Sequence, residues 1–193
     1  LKAVAMHPVM GVYLSHLGNQ KANPALNLHP DENFAREIMQ LFTIGLWEME
    51  TNGVRKTYPV GHPYAGQFIP TYSNADITEL ARVFTGLTWY DSIGFNPSNL
   101  TNGDRLHPMK IWDAYHDCEA KTLLGGLSLP ARTASPGNTG TAGALDIDAA
   151  VTNLFNHPNV GPFIALRLIQ RFVTSNPSHD YIGRVAAKFN NNG

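Results

Sequence analysis

The densest run of reactive side chains in this chain is His116-Asp117-Cys118-Glu119-Ala120-Lys121. A histidine beside carboxylates is the material of an acid–base pair or of a divalent-metal site, with His116 and Asp117 as the ligands and Glu37 as a further acid or base. Neighbours in an extended strand point to opposite faces, so His116 and Asp117 act together only if the backbone turns there. The competing reading is a turn in which Asp117 bonds local N–H groups and Lys121 is solvated. Lys121-Thr122 lacks the upstream glycine spacing of a phosphate loop, and Cys118 has no nucleophile setting around it.

A second set of chemistry-bearing residues is cationic. Arg36, Arg82, Arg167 and Arg171 each interrupt an otherwise amphipathic run, and with Lys121 they are the candidates for an anionic ligand. The alternative is pairing with acids such as Glu37, Asp76 and Glu79, because buried charges are normally paired. Trp47, Trp89 and Trp112 offer faces for sugar rings, against the more ordinary use of tryptophan in a core.

The elements that must position these groups are helical. The stretch from Pro30 to Leu46 is the best defined: Asp31 or Asn33 caps it, and Phe34, Ile38, Leu41 and Phe42 form one apolar stripe. Glu32 stands one turn before Arg36, and Gly45 is the stop. Ser73-Asn74 opens a second helix with Ile77, Leu80, Ala81 and Phe84 inward and Gly86 as its end. Residues 1–17 give two short helices broken at His7-Pro8. Residues 50–72 are a long aromatic loop or loose hairpin. Met109 to Leu124, ending at Gly125-Gly126, is the best strand candidate.

Residues 127–145 read as loop, with a helix starting near Asp146 and breaking at His157-Pro158. Pro162 seats the next helix, which is apolar around most of its circumference and therefore expected to be central and well buried. A last helix carries Tyr181, Ile182, Val185 and Phe189. Five histidines precede proline (His7, His29, His62, His107 and His157), which marks them as boundary residues. The expected fold is mainly α: a compact single domain over 1–193, with five or six helices, long irregular loops and one small β-hairpin.

Composition narrows the function. With 15% charged residues and a net charge of −1, no basic excess favours nucleic acid. No apolar run is long enough for a transmembrane segment. One cysteine rules out an internal disulfide framework. The start at Leu1-Lys2-Ala3-Val4 resembles the middle of a helix, so the chain reads as a piece of a longer protein.

Four strings in order carry a resemblance: D-E-N-F-A-R-E-I-M-Q-L-F-T-I-G, A-D-I-T-E-L-A-R-V-F-T-G-L-T-W, H-D-C-E-A-K-T-L-L-G and H-P-N-V-G-P-F-I-A-L-R-L-I-Q-R-F-V. Together they resemble the bacterial family catalogued as domain of unknown function 1800, from about Met6 to Phe189. Glu119 stands where that family's pattern usually has glycine. The resemblance implies an exported bacterial protein, and it brings no activity with it. Two functions follow as expectations. One is a non-catalytic binding or scaffold module for a protein partner or an extracellular polymer. The other is a hydrolase, with a divalent metal as its possible cofactor, working through the His116–Asp117 region.

Overall fold

The computed structural model describes residues 1–95, 103–135 and 139–190. Among them are seven α-helices and two antiparallel strand pairs, so the fold is mainly α with small hairpin-like pieces. Contacts divide the chain into two compact units, Leu1–Glu37 with Asn74–Asn153, and Ile38–Ser73 with Leu154–Gly193.

The first unit opens with α1 (Lys2–Ala5) and α2 (Pro8–Tyr13). The break between them is made by His7, whose Nδ1 accepts the Val9 N–H at 3.2 Å in the place of a capping side chain. His62 and His157 do the same for Tyr64 and Asn159, at 3.1 Å each. At these three His-Pro steps the ring serves a backbone N–H that follows the proline.

Helix α3 (Asn33–Gln40) starts as its sequence dictates, with Asp31 Oδ1 accepting the Asn33 N–H at 2.7 Å. Its Phe34 stacks on His16 with ring centroids 3.8 Å apart and meets Phe84 edge-on at 4.7 Å. Helix α4 (Asn74–Val83) buries Ile77, Leu80 and Ala81 beside them. The chain then turns at Gly86, where φ is +78° and an added Cβ would lie 2.7 Å from the Trp112 carbonyl and 2.8 Å from the His116 nitrogen. Only glycine fits so close an approach of two backbones.

The strand expected over 109–124 is split. Its start, β2 (Lys110–Ile111), pairs with β1 (Leu87–Thr88) and not with its own continuation. The extended run ends because the backbone turns at Trp112, whose carbonyl accepts from Tyr115 and His116 at 2.9 and 3.1 Å. Its end, β3 (Lys121–Leu123), pairs with β4 (Leu127–Leu129) around Gly125 and Gly126, both at positive φ.

Helix α5 (Thr141–Phe155) begins five residues earlier than its sequence suggested. The reason is remote: Asp113 accepts the N–H groups of Ala142 and Gly143 at 3.2 and 3.1 Å and also binds Ser135. That carboxylate satisfies first-turn donors which the local Thr-Gly-Thr-Ala-Gly sequence leaves open. The face of α5 carrying Ala142, Asp146 and Ala150 is fully buried.

The second unit is built on α6 (Val160–Phe172) and α7 (His179–Asn190). Ala165 and Ile169 of α6 pack on Ile182 and Ala186 of α7. Helix α6 is not buried all round as its composition predicts. Leu168, Phe172 and Val173 are exposed, so apolar character exceeds actual burial on that face. Residues 47–70 form the loose hairpin, held by bridges Trp47–Pro70, Met49–Arg55 and Thr57–Phe68.

Candidate functional site

Around the His116–Lys121 motif the first unit builds a closed charge network centred on Asp146 of α5. Asp146 Oδ2 accepts from Lys121 Nζ at 2.7 Å and from His116 Nε2 at 3.2 Å, while Oδ1 accepts from Arg132 Nε. His116 and Asp146 have no exposed surface at all. The other ring nitrogen, Nδ1, lies 3.1 Å from the Thr85 carbonyl and 3.3 Å from its hydroxyl. Both ring nitrogens are thus engaged inside the protein.

Asp117 faces the other way. It takes a bidentate pair from Arg82, Nε to Oδ2 at 2.8 Å and Nη2 to Oδ1 at 3.0 Å. Arg82 Nη1 reaches both Glu79 oxygens at 2.9 Å, and Glu79 in turn accepts the Thr122 N–H at 2.9 Å, tying α4 to β3. Asp117 Oδ1 also accepts the Glu119 N–H at 3.0 Å, which is the expected local turn.

Lys121 is not solvated. Its ammonium is buried and donates to Asp146 and to the carbonyls of Asp117 and Glu119. A lysine can be held there because all three N–H groups have acceptors and a carboxylate lies within contact.

The energetics follow the geometry. Burial pushes the Asp146 carboxyl upward, but hydrogen bonds from His116, Lys121 and Arg132 outweigh it and hold the group far below the usual carboxylate range. Asp117 is likewise lowered, the upward push of burial being overcome by Arg82. The Arg82 guanidinium is raised, first by its bonds to Asp117. Burial pushes the Cys118 thiol up, which leaves it a poor nucleophile. The network is a set of paired, ionised groups, with three carboxylates (Glu79, Asp117, Asp146) facing three cations (Arg82, Lys121, Arg132) beside His116.

The second unit holds a different kind of feature, a groove of about 480 Å³ between residues 40–55 and 163–167. Its lining includes Gln40, Trp47, Phe163 and Leu166, with Arg55 and Arg167. Arg55 lies over the Phe68 ring at 5.2 Å and Arg167 over the Phe163 ring at 5.1 Å. Arg167 also donates to Gln170 at 3.1 Å. Among the described residues neither guanidinium has an acidic partner.

One buried side chain shapes the groove wall. Asn159 donates to the carbonyls of Ile44 and Trp47 and accepts the Met49 N–H, each at 2.8 Å. Three backbone groups of an irregular segment are satisfied by one amide, which holds the backbone that carries Trp47. Gly45, at φ +72°, lets the Phe163 ring lie against the chain, since a Cβ there would be 2.6 Å from the ring.

Comparison with known families matches residues 1–193 to the family described as "Protein of unknown function (DUF1800)". The chain belongs to that family. Comparisons with curated proteins and with solved structures gave no match. The family's description carries no activity, so chemistry is read from the residues alone.

The structure brings together only part of the site that the His116–Lys121 run suggested. His116 and Lys121 meet on Asp146, and Lys121 Nζ also lies 3.9 Å from Asp117 Oδ1, whereas His116 does not pair with Asp117. No hydrogen bond or ion pair among the described residues joins Glu37 to His116 or Asp117, and Glu37 Oε2 is buried without a partner there. As metal ligands, His116 and Asp117 do not share a centre, since their donor atoms are turned to Asp146 and Arg82. No group of three or more His, Cys, Asp or Glu suited to a metal occurs among the described residues.

Of the arginines, Arg36 pairs with Glu32 at 3.4 Å and Arg82 enters the network. Arg167 lines the groove, and Arg171 is exposed. Asp146, Arg132, Asp113, Asn159 and Arg55 were not singled out by sequence. Only Asp146 carried a local signal, as the acid on the face that α5 otherwise fills with alanine.

Proposed function

We propose that this protein is a non-catalytic binding module of an exported protein, and that its ligand is an anionic one taken in the groove of the second unit. The observation that carries this reading is the pair Arg55 and Arg167, two exposed guanidiniums without acidic partners among the described residues, set beside Trp47 and Phe163 in one concavity. Concave apolar sites with a few placed polar groups are the usual form of a ligand site. The charges of Asp117 and Lys121 are paired within the protein, and the wholly buried ring of His116 offers no surface to a substrate. That arrangement supports a structural role for the motif over a hydrolytic one.

The test is co-sedimentation of the chain with an insoluble anionic polymer and with a neutral polymer, alongside the double variant Arg55→Glu/Arg167→Glu. Retention on the anionic polymer alone, lost in the double variant and without release of new chain ends, is the expected result. Polymer cleavage that disappears in His116→Ala would replace this reading with the hydrolase.

A further inference from the structure

We infer that the groove is a subsite for an acidic polysaccharide, a sugar chain bearing carboxylate or sulfate groups; this rests on the binding reading above. The inference starts from how the two cations are held. Each guanidinium is set against an aromatic ring, Arg55 on Phe68 and Arg167 on Phe163, and Arg167 is further fixed by Gln170. Ring contacts place a guanidinium without neutralising it, so its N–H groups, apart from the one that Arg167 gives to Gln170, remain available to a ligand. Planar oxyanions, carboxylate above all, match that fork in two-point fashion, and sulfate oxygens use the same donors. Holding the donors in advance lowers the ordering cost of binding.

The rest of the wall suits a sugar ring more than a peptide. A pyranose presents an apolar C–H face and a rim of hydroxyls. Trp47, half-buried and braced by Phe68 at 5.7 Å, supplies an aromatic face, and Leu166 extends the apolar floor. Gln40 brings an amide able both to donate to and to accept from hydroxyls. An extended peptide would instead draw on the backbone of an exposed sheet edge, whereas the polar groups singled out here are side chains. The whole chain carries a net charge of −1, so attraction to a polyanion has to be local to this groove rather than a property of the bulk protein.

Isothermal titration of the intact chain distinguishes the possibilities with four probes: a hexuronate oligomer, the same oligomer with its carboxyls reduced to alcohols, a sulfated neutral oligomer of equal length, and hexaglutamate. The expected result is saturable binding of the uronate, the sulfated oligomer or both, with the reduced oligomer at least about tenfold weaker. Arg55→Ala and Arg167→Ala each weaken binding by about tenfold, and Trp47→Ala removes it. Thermal unfolding of the same variants shows that they remain folded. A reduced oligomer that binds equally well overturns the acidic class while leaving the groove as the site. Hexaglutamate binding as tightly as the sugars overturns the sugar class. Acidic sugars whose binding is indifferent to all three groove variants overturn both this inference and the binding reading it rests on. Failure of every sugar to bind overturns the inference.

Discussion

Replacing Lys121 by methionine removes one charge from the interior at little change of volume, and the structure gives the size of the effect. Lys121 is 2% exposed, and its ammonium makes three bonds, to Asp146 at 2.7 Å and to the carbonyls of Asp117 and Glu119. Breaking a buried ion pair from one side costs about 3–5 kcal/mol, because the remaining charge and acceptors stay out of water. With a urea dependence of about 2 kcal/mol per molar, the midpoint for the first unit falls by about 1.5–2.5 M. Trp89 and Trp112 report on that unit, and a Trp47→Phe background removes the signal from the other. Asp146 keeps His116 and Arg132 in the variant but loses a cation, so its carboxyl protonates more easily. Its depressed value contributes stability that is present above about pH 4 and lost as pH falls. The variant therefore unfolds in acid at a higher pH than the parent. Adding Asp146→Asn to Lys121→Met should cost less than the sum of the two single changes, by about 1 kcal/mol or more. A single-variant cost under about 1 kcal/mol, or strict additivity, would refute the reasoning.

Other consequences follow from the same contacts. Burial lowers His16 from 6.5 to about 4, against a smaller opposing effect of its bond to the Ala5 carbonyl. The neutral ring is the buried form, so stability rises from about pH 4 to 6.5, by about 3 kcal/mol in all. His16→Phe should flatten that slope in urea titrations at stepped pH; an unchanged slope assigns it to another group. Asn159→Ala removes the side-chain partner of three backbone groups, two of them in buried bonds, and should cost about 3 kcal/mol. Hydrogen exchange would show it as lost protection at Met49, whose N–H the amide oxygen accepts. Gly86→Ala places a methyl against two backbone atoms, whereas Gly125→Ala at a similar φ meets nothing within 4 Å. The first should cost about 1–3 kcal/mol more than the second in thermal unfolding, and equal costs would refute the steric argument.

Local chemistry was legible in the sequence. Asp31 before a periodic apolar run caps α3, Gly45 and Gly86 mark turns at positive φ, and the histidines at His7-Pro8, His62-Pro63 and His157-Pro158 serve nearby N–H groups. Of the i, i+3, i+4 stripes, the structure buries Phe34 and Ile38 of α3, Ile77, Leu80 and Ala81 of α4 and Phe84 just after it, whereas Leu41, past the end of α3 at Gln40, is exposed. Such features depend on neighbours within a turn or two, and residue order states them directly. Where a partner lies far along the chain, the sequence was silent. The start of α5 needs a carboxylate from Asp113, about thirty residues away, and the Thr-Gly-rich segment reads as loop without it.

The chemistry divides in the same way. Sequence alone determined that His116, Asp117 and Lys121 lie close together and that the chain belongs to one family. Tertiary structure decided what they do, because a carboxylate's partner is set by which helix face reaches it. Asp146, thirty residues on, captured His116 and Lys121, and Arg82 captured Asp117. It also decided which arginines remain available: Arg36 and Arg82 found acids within one helical turn, while Arg55 and Arg167 found aromatic rings. Those neighbours lie close along the chain, but the groove that sets Arg55 beside Arg167 joins segments that the sequence keeps more than a hundred positions apart, and only packing brings them together.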